Sequence, residues 1–201
     1  MKRTFKEALE HRRSYYTIGS DLITTRRELE DMVAFALKHV PSAFNSQSTR
    51  IMLLLGKEHK KLWTIVKDCL KTEISAEAFE RSEQKIDHSF TAGSGTLLFW
   101  EDREVVIDLM KNYPLYETRF QQWSQHTSAM HQLALWCMLE DSGYGASLQH
   151  YNPLIDERVR GTWNVPEQWE LIAQMPFGYP LAMPGPKSFE AVETRMWVIG
   201  E

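Results

Sequence analysis

Between Tyr116 and Asp141 the sequence supports one long helix, and its middle, MHQLALWCML at residues 130 to 139, is apolar almost all the way round. A helix of that kind is buried on more than one side. A chain of 201 residues can do this by threading the helix through its own core or by packing it against a second subunit, the less costly arrangement.

The rest of the chain alternates helices and strands irregularly. TTRRELEDMVAFALKHV places Leu29, Met32, Val33, Ala36, Leu37 and Val40 at helical spacing, with Thr25 as N-cap and Pro41 beyond the end. RIMLLLG, ended by Gly56, and GTLLFW at 95 to 100 read as buried strands. Helices are predicted around Leu62–Leu70, from Ser75 over AEAFERSEQKI, in REVVIDLMKN before Pro114, and around LIDERVRG. ASLQHYNP reads as a short extended segment, QWELIAQMPFGYP as a strand running into a turn, and the closing ETRMWVIGE as a last strand that must pair with something. The order implies an α+β or three-layer architecture, without the regular βαβ alternation of a doubly wound fold.

With 43% hydrophobic and 25% charged residues, and no repeat or linker, residues 1–201 are expected to form one domain. A net charge of -4 provides no basic field for nucleic acid. No segment is long and apolar enough to span a membrane, and MKRTFKEALEHRRSYY lacks the apolar core of a leader, so a cytoplasmic protein is expected. Cys69 and Cys137 sit in apolar helical patterns and read as buried free thiols. The seven histidines are scattered, and hydrolase, zinc-protease and phosphate-loop motifs are absent, which argues against a metal site.

What remains is a set of residues suited to a flat, polar, anionic ligand. Arg12 and Arg13 close a short N-terminal helix and are followed by Ser14; they either offset the helix dipole or form an arginine fork for a phosphate. In PSAFNSQSTR, Asn45 and Gln47 carry both donors and acceptors, fit either to tie down their own loop or to read the edge of a heterocycle. Gln149 and His150 lie in an extended segment flanked by small residues, and Lys187 lies in the loop MPGPKSFE.

RRS at 12 to 14, PSAFNSQ at 41 to 47, GYGASLQHYNP at 143 to 153, MPFGYP at 175 to 180 and Lys187 follow one another in an order that resembles the FMN-dependent nitroreductase family. The length and the NSQSTR and ASLQHYNP variants resemble its compact branch, typified by the yeast fatty-acid-repression-mutant protein and copper-induced bacterial nitroreductases. The resemblance implies a three-layer α/β/α sandwich with a mixed, mainly antiparallel sheet, and a homodimer with two FMN sites at its interface. It implies that Arg12 and Lys187 hold the phosphate, Arg13 and Ser14 the phosphate-ribityl side, and Asn45 and Gln47 the flavin ring. Leu148, Gln149 and His150 would line the ring, partly through backbone N–H groups, and Tyr16, Phe120, Trp123 and Tyr151 are candidates for an aromatic wall. The implied reaction is ping-pong: NADH or NADPH as donor, a nitroaromatic or quinone as acceptor, and no indispensable acid or base from the protein. A flavin-binding redox sensor or FMN store is the alternative, and reductive dehalogenation or flavin cleavage a third reading. Two departures from the family pattern stand out: Phe189 where an arginine is common, which leaves Arg195 as a substitute, and STR where a proline and tryptophan often follow the NxQ loop.

Overall fold

The computed structural model describes residues 3–200. Its strands are β1 (Ile18–Gly19), β2 (Thr49–Leu55), β3 (Gly95–Asp102), β4 (Gly145–Ala146) and β5 (Trp169–Pro180). The helices are α1 (Phe5–His11), α2 (Arg26–His39), α3 (Gly56–Glu73), α4 (Ala76–Ile86), α5 (Arg103–Asn112), α6 (Glu117–Asp141) and α7 (Asp156–Trp163). The strand order is β1-β5-β3-β2, with β4 also on β5, and every pair of strands is antiparallel. An isolated bridge between Ser14 and Ala146 supplies the parallel contact.

All eight residues of β3 are buried, as expected of a central strand covered on both faces. Because strand side chains alternate, its residues divide between two cores. Leu98 and Trp100 join Leu54, Leu171 and the inner faces of α3 and α7, including Trp63, Val66 and Val159. Leu97 and Phe99 join Ala173, Met175 and Phe177 of β5, with Leu29 and Ala36 of α2 and Leu135 and Leu139 of α6. Helices therefore cover both faces of the sheet, and the fold is α+β in three layers. Burying each large side chain contributes about 1.5–3 kcal/mol.

Local signals set the boundaries. Thr25 and Glu28 form a reciprocal capping box at the start of α2, and the Ser75 hydroxyl accepts from the Ala78 N–H at the start of α4. Gly56, at φ 55°, turns β2 directly into α3. β5 is longer than the sequence suggested and runs through MPFGYP to Pro180.

One expectation is corrected. Among the described residues the segment ETRMWVIG forms no strand: Val192–Thr194 is a single helical turn, and Trp197, Val198 and Ile199 are 80%, 81% and 98% exposed. Apolar alternation marks a segment that can pair, and here the same chain offers it no partner. α6 buries Leu135, Cys137 and Leu139 but leaves Met130 and Leu133 about two-fifths exposed, so one protomer covers one side of it and does not thread it through its own core. Cys69 and Cys137 are free and buried, and among the described residues no helix is long and apolar enough to cross a membrane.

Candidate active site

α1 ends at His11 because Arg12 leaves the helical region, while its N–H still donates to the Ala8 carbonyl. The chain then runs extended: the Tyr15 N–H donates to the Ala146 carbonyl, and Ser14 bridges the same residue. Beyond β5 the Leu181 N–H donates to the Thr17 carbonyl, folding the loop 182–187 back over this segment. Between them lies a cleft of ≈ 490 Å³ lined by Arg12, Arg13, Ser14, Tyr16, Thr17 and, from the loop, Met183 and Lys187. Five of the residues expected at the FMN site, Arg12, Arg13, Ser14, Tyr16 and Lys187, meet here, and Asn45, Gln47, Leu148, Gln149 and His150 do not.

The lining carries three cations and no carboxylate. The Arg12 guanidinium lies 4.4 Å from the centre of the Trp136 ring, and its buried Nε has no hydrogen-bond partner. Arg13 Nη2 donates to the Gly185 carbonyl at 2.7 Å, which holds the loop and leaves other donors of the fork unused. The Lys187 ammonium is exposed, 5.1 Å from the Phe189 ring, so Phe189 supports the lysine where a second cation was expected. Arg195 bonds to the Glu190 carbonyl and is not among the lining residues. An orphaned guanidinium nitrogen among three cations that form no salt bridge among the described residues fits a phosphate. Nearby, burial pushes the Cys137 thiol above its ordinary value against the pull of Arg12, so it stays protonated and is no nucleophile.

Asn45 and Gln47 are not in this cleft. Their loop is built on three left-handed residues, Phe44, Asn45 and Gln47, at φ 56°, 52° and 49°. The Gln47 N–H donates to Ser42 Oγ at 3.0 Å and its carbonyl accepts from Arg50 Nη1 at 2.7 Å. Both amide side chains are exposed and make no hydrogen bond among the described residues, so they do not tie down their own loop. They remain open to a heterocycle's edge.

Ser147–His150 runs beside β5. The Gln149 N–H donates to the Gln174 carbonyl at 2.7 Å, so it is not one of the free backbone donors expected of this segment; its side chain donates to Ser147 Oγ. Leu148 packs on the core beneath and His150 is exposed. Of the aromatic candidates, Tyr16 borders the cleft. Phe120 and Trp123 cluster with Phe44, with centroids 5.3 and 6.1 Å away, and Tyr151 packs into the core between Trp63 and Phe90. Burial pushes the Tyr151 phenol up to about 12.

α6 measures the distance between the two halves. Arg12 stands on Trp136 near its C-terminal end and Phe44 on Trp123 near its start. At 1.5 Å per residue these two tryptophans lie roughly 20 Å apart along the axis. The tryptophan beneath Arg12 and the one beneath Phe44 thus stand well apart on α6, and Gln47 borders a separate hollow with His131 and Trp169 rather than the cationic cleft. Sequence reasoning missed Trp136 and Phe44, which read as ordinary apolar residues.

The sequence matches the model of the nitroreductase family over residues 9–179. It is 33% identical over 188 residues to HBN1 and 31% identical over 187 residues to the nitroreductase FRM2, both of Saccharomyces cerevisiae. The alignments cover 92% of this chain with 93% of HBN1 and 92% of FRM2. The nitroreductase CinD of Lactococcus lactis, solved with 4-nitrophenol, superposes with a TM-score of 0.89 at 38% identity, over 98% of this chain and 100% of CinD. Fold, cleft and likeness together define a flavin-dependent oxidoreductase. The chain belongs to the nitroreductase family.

Proposed function

We propose that this protein is an FMN-dependent NAD(P)H oxidoreductase of the nitroreductase or quinone reductase type, acting as a cytoplasmic homodimer. The cleft formed by Arg12, Arg13, Ser14 and Lys187 carries the reading: it gathers cationic donors, excludes carboxylates and leaves Arg12 Nε without a partner. Arg12 and Lys187 hold the phosphate of FMN, and Arg13 and Ser14 the adjoining ribityl hydroxyls. FMN held there would supply the hydride and electron-transfer chemistry between NADH or NADPH and the acceptor.

The protein's part is to bind, orient and polarise. Asn45 and Gln47 meet the heterocycle's edge and place donors where negative charge gathers. Since they do not line the cleft of their own protomer, a second copy brings them to it. Three features support that arrangement: the uncovered Met130 and Leu133 of α6, the exposed apolar C-terminal segment, and the free edge of β2. Two free buried thiols suit a reducing compartment. As acceptors, flat nitro compounds or quinones fit the aromatic surface around Phe44 and Trp123, and the complexes of CinD with 4-nitrophenol and chloramphenicol support that class.

The test is optical. Protein reconstituted with FMN is mixed with NADH or NADPH in the absence of oxygen, and then with a quinone or 4-nitrophenol. Bleaching of the flavin band followed by recovery on adding the acceptor is expected. Bleaching without recovery with either acceptor sinks the proposed acceptor class, and an absence of bleaching with both nucleotides leaves a flavin binder rather than this enzyme.

A further inference from the structure

Glu101, at the end of β3 furthest from the cationic cleft, is fully buried and forms no salt bridge among the described residues. Three hydroxyls satisfy its carboxylate: Ser48 Oγ donates to Oε2 at 2.6 Å, Ser124 Oγ to the same oxygen at 2.7 Å, and Thr49 Oγ1 to Oε1 at 2.5 Å. Replacing a buried charge with a well-packed apolar side chain is often neutral or stabilising, so stability alone gives no reason for a carboxylate here.

The identity of the donors supplies one. Ser48 and Thr49 follow Gln47 directly, and Ser124 comes from α6, one residue after the Trp123 that stacks on Phe44. On the other side of the loop, Arg50 holds the Gln47 carbonyl and pairs with Asp102, the neighbour of Glu101, at 2.9 Å. Glu101 and Asp102 thus grip the loop from consecutive positions of β3. The backbone of Gln47 is bonded at both N–H and carbonyl, while its side chain is left free. Left-handed geometry at a residue as bulky as Phe44 persists only where the surroundings over-determine it.

We infer that Glu101 is a positioning residue: by tying Ser48 and Thr49 to Ser124, its carboxylate fixes the backbone from which Asn45 and Gln47 project and so sets how tightly the loop holds the flavin. The inference rests on the flavin reading given above. Such support of a binding group by a bonded partner behind it is a common source of affinity.

The experiment compares the full-length protein with Glu101→Leu, which removes charge and acceptors, and with Thr49→Val, which removes one hydroxyl at constant shape and charge. Amide exchange is measured without flavin, and FMN affinity by fluorescence titration. In Glu101→Leu, residues 44–48 are expected to exchange about tenfold faster while Leu135 and Ala173 are unchanged, and the FMN dissociation constant is expected to rise about tenfold. Thr49→Val is expected to show the same pattern at about threefold. Unchanged loop exchange overturns the inference, as does a loosened loop that binds FMN as tightly as the wild type. If Glu101→Leu does not fold, Thr49→Val decides by the same two criteria. Wild-type protein that takes up no FMN overturns the flavin reading and this inference with it; failure of the inference alone is distinct, because wild type and variant then bind FMN equally.

Discussion

The Arg12 guanidinium rests 4.4 Å above the Trp136 ring with its buried Nε unpartnered. A cation held over an aromatic face keeps its edge free, so the ring orients the fork and leaves the donors for an anion. Trp136→Leu should therefore keep the fold and the charge yet weaken FMN binding about fivefold, in line with a cation–π contribution of about 1 kcal/mol. Replacing Arg12 and Lys187 together with alanine should weaken it about a hundredfold without unfolding the chain. Circular dichroism and flavin titration on the same samples check both. Undiminished flavin content in the double variant would refute the phosphate assignment.

Gly178 ties the sheet to the cleft. A Cβ there would stand 2.3 Å from the Gly19 carbonyl oxygen and 3.0 Å from the Gly93 Cα. Gly178→Ala must push β1 away from β5, and β1 is the continuation of the Arg12–Thr17 segment that lines the cleft. A loss of about 1–3 kcal/mol and a fall in flavin content are expected. Gly161, in α7, has nothing within 4 Å of the same position, so Gly161→Ala should instead add about 0.5–1 kcal/mol. Urea unfolding of the two variants side by side decides; equal stabilities would contradict the packing argument.

Local signals were legible in the sequence where local chemistry decides the structure. The Thr25 cap, the apolar run of β3 and the long α6 all stand where the residues predicted them. β1 was missed because two residues, Ile18 and Gly19, show no periodicity; their pairing with Pro180 and Tyr179 defines them. The sequence carries no sign that Glu101 is buried, since its partners Ser48, Thr49 and Ser124 are distant along the chain. Motif order singled out Arg12, Arg13 and Ser14 together with Lys187, far away in sequence, and the four line one cleft in the structure. That Asn45 and Gln47 stand outside the cleft was not readable, because a motif list preserves order along the chain and no distance.

His59 makes stability depend on acidity. It is buried beneath the sheet, with Nε2 3.2 Å from the Thr91 carbonyl and Nδ1 2.8 Å from Thr96 Oγ1, which also accepts from Trp63 Nε1. The carbonyl requires the proton on Nε2, so Nδ1 accepts from the threonine and the ring is neutral. Burial lowers its pKa from 6.5 to about 4. Between these values the unfolded chain binds the extra proton and the folded one does not, so this contribution is complete above pH 6.5 and lost as pH falls toward 4. The gap corresponds to about 3 kcal/mol. Burial also lowers the pKa of His131, which adds a loss of the same sign. Urea midpoints measured from pH 4 to 8 should fall on the acid side, and less steeply in His59→Gln; identical slopes would remove His59 from the account.

The C-terminal segment offers the sharpest test of assembly. Met196, Trp197, Val198 and Ile199 are all more than half exposed, and apolar side chains in such a row find a surface to cover when one is offered. β2 is the outermost strand of the sheet, and hollows of ≈ 300 and ≈ 480 Å³ lie along it, the first walled by Leu37, Val40 and Trp169 with Gln47 and Arg50, the second by Trp163 with Arg26, Glu30 and Glu58. An unpaired edge beside hollows with aromatic and aliphatic walls accepts an extended peptide. A strand laid there by a second copy would satisfy the edge of one protomer and bury the tail of the other, twice over by symmetry. Removing residues 195–201 should therefore shift the protein toward monomer in sedimentation velocity and reduce bound FMN, while thermal unfolding stays cooperative. A truncated protein that keeps both the mass and the flavin content of the full chain would show that the tail takes no part in assembly.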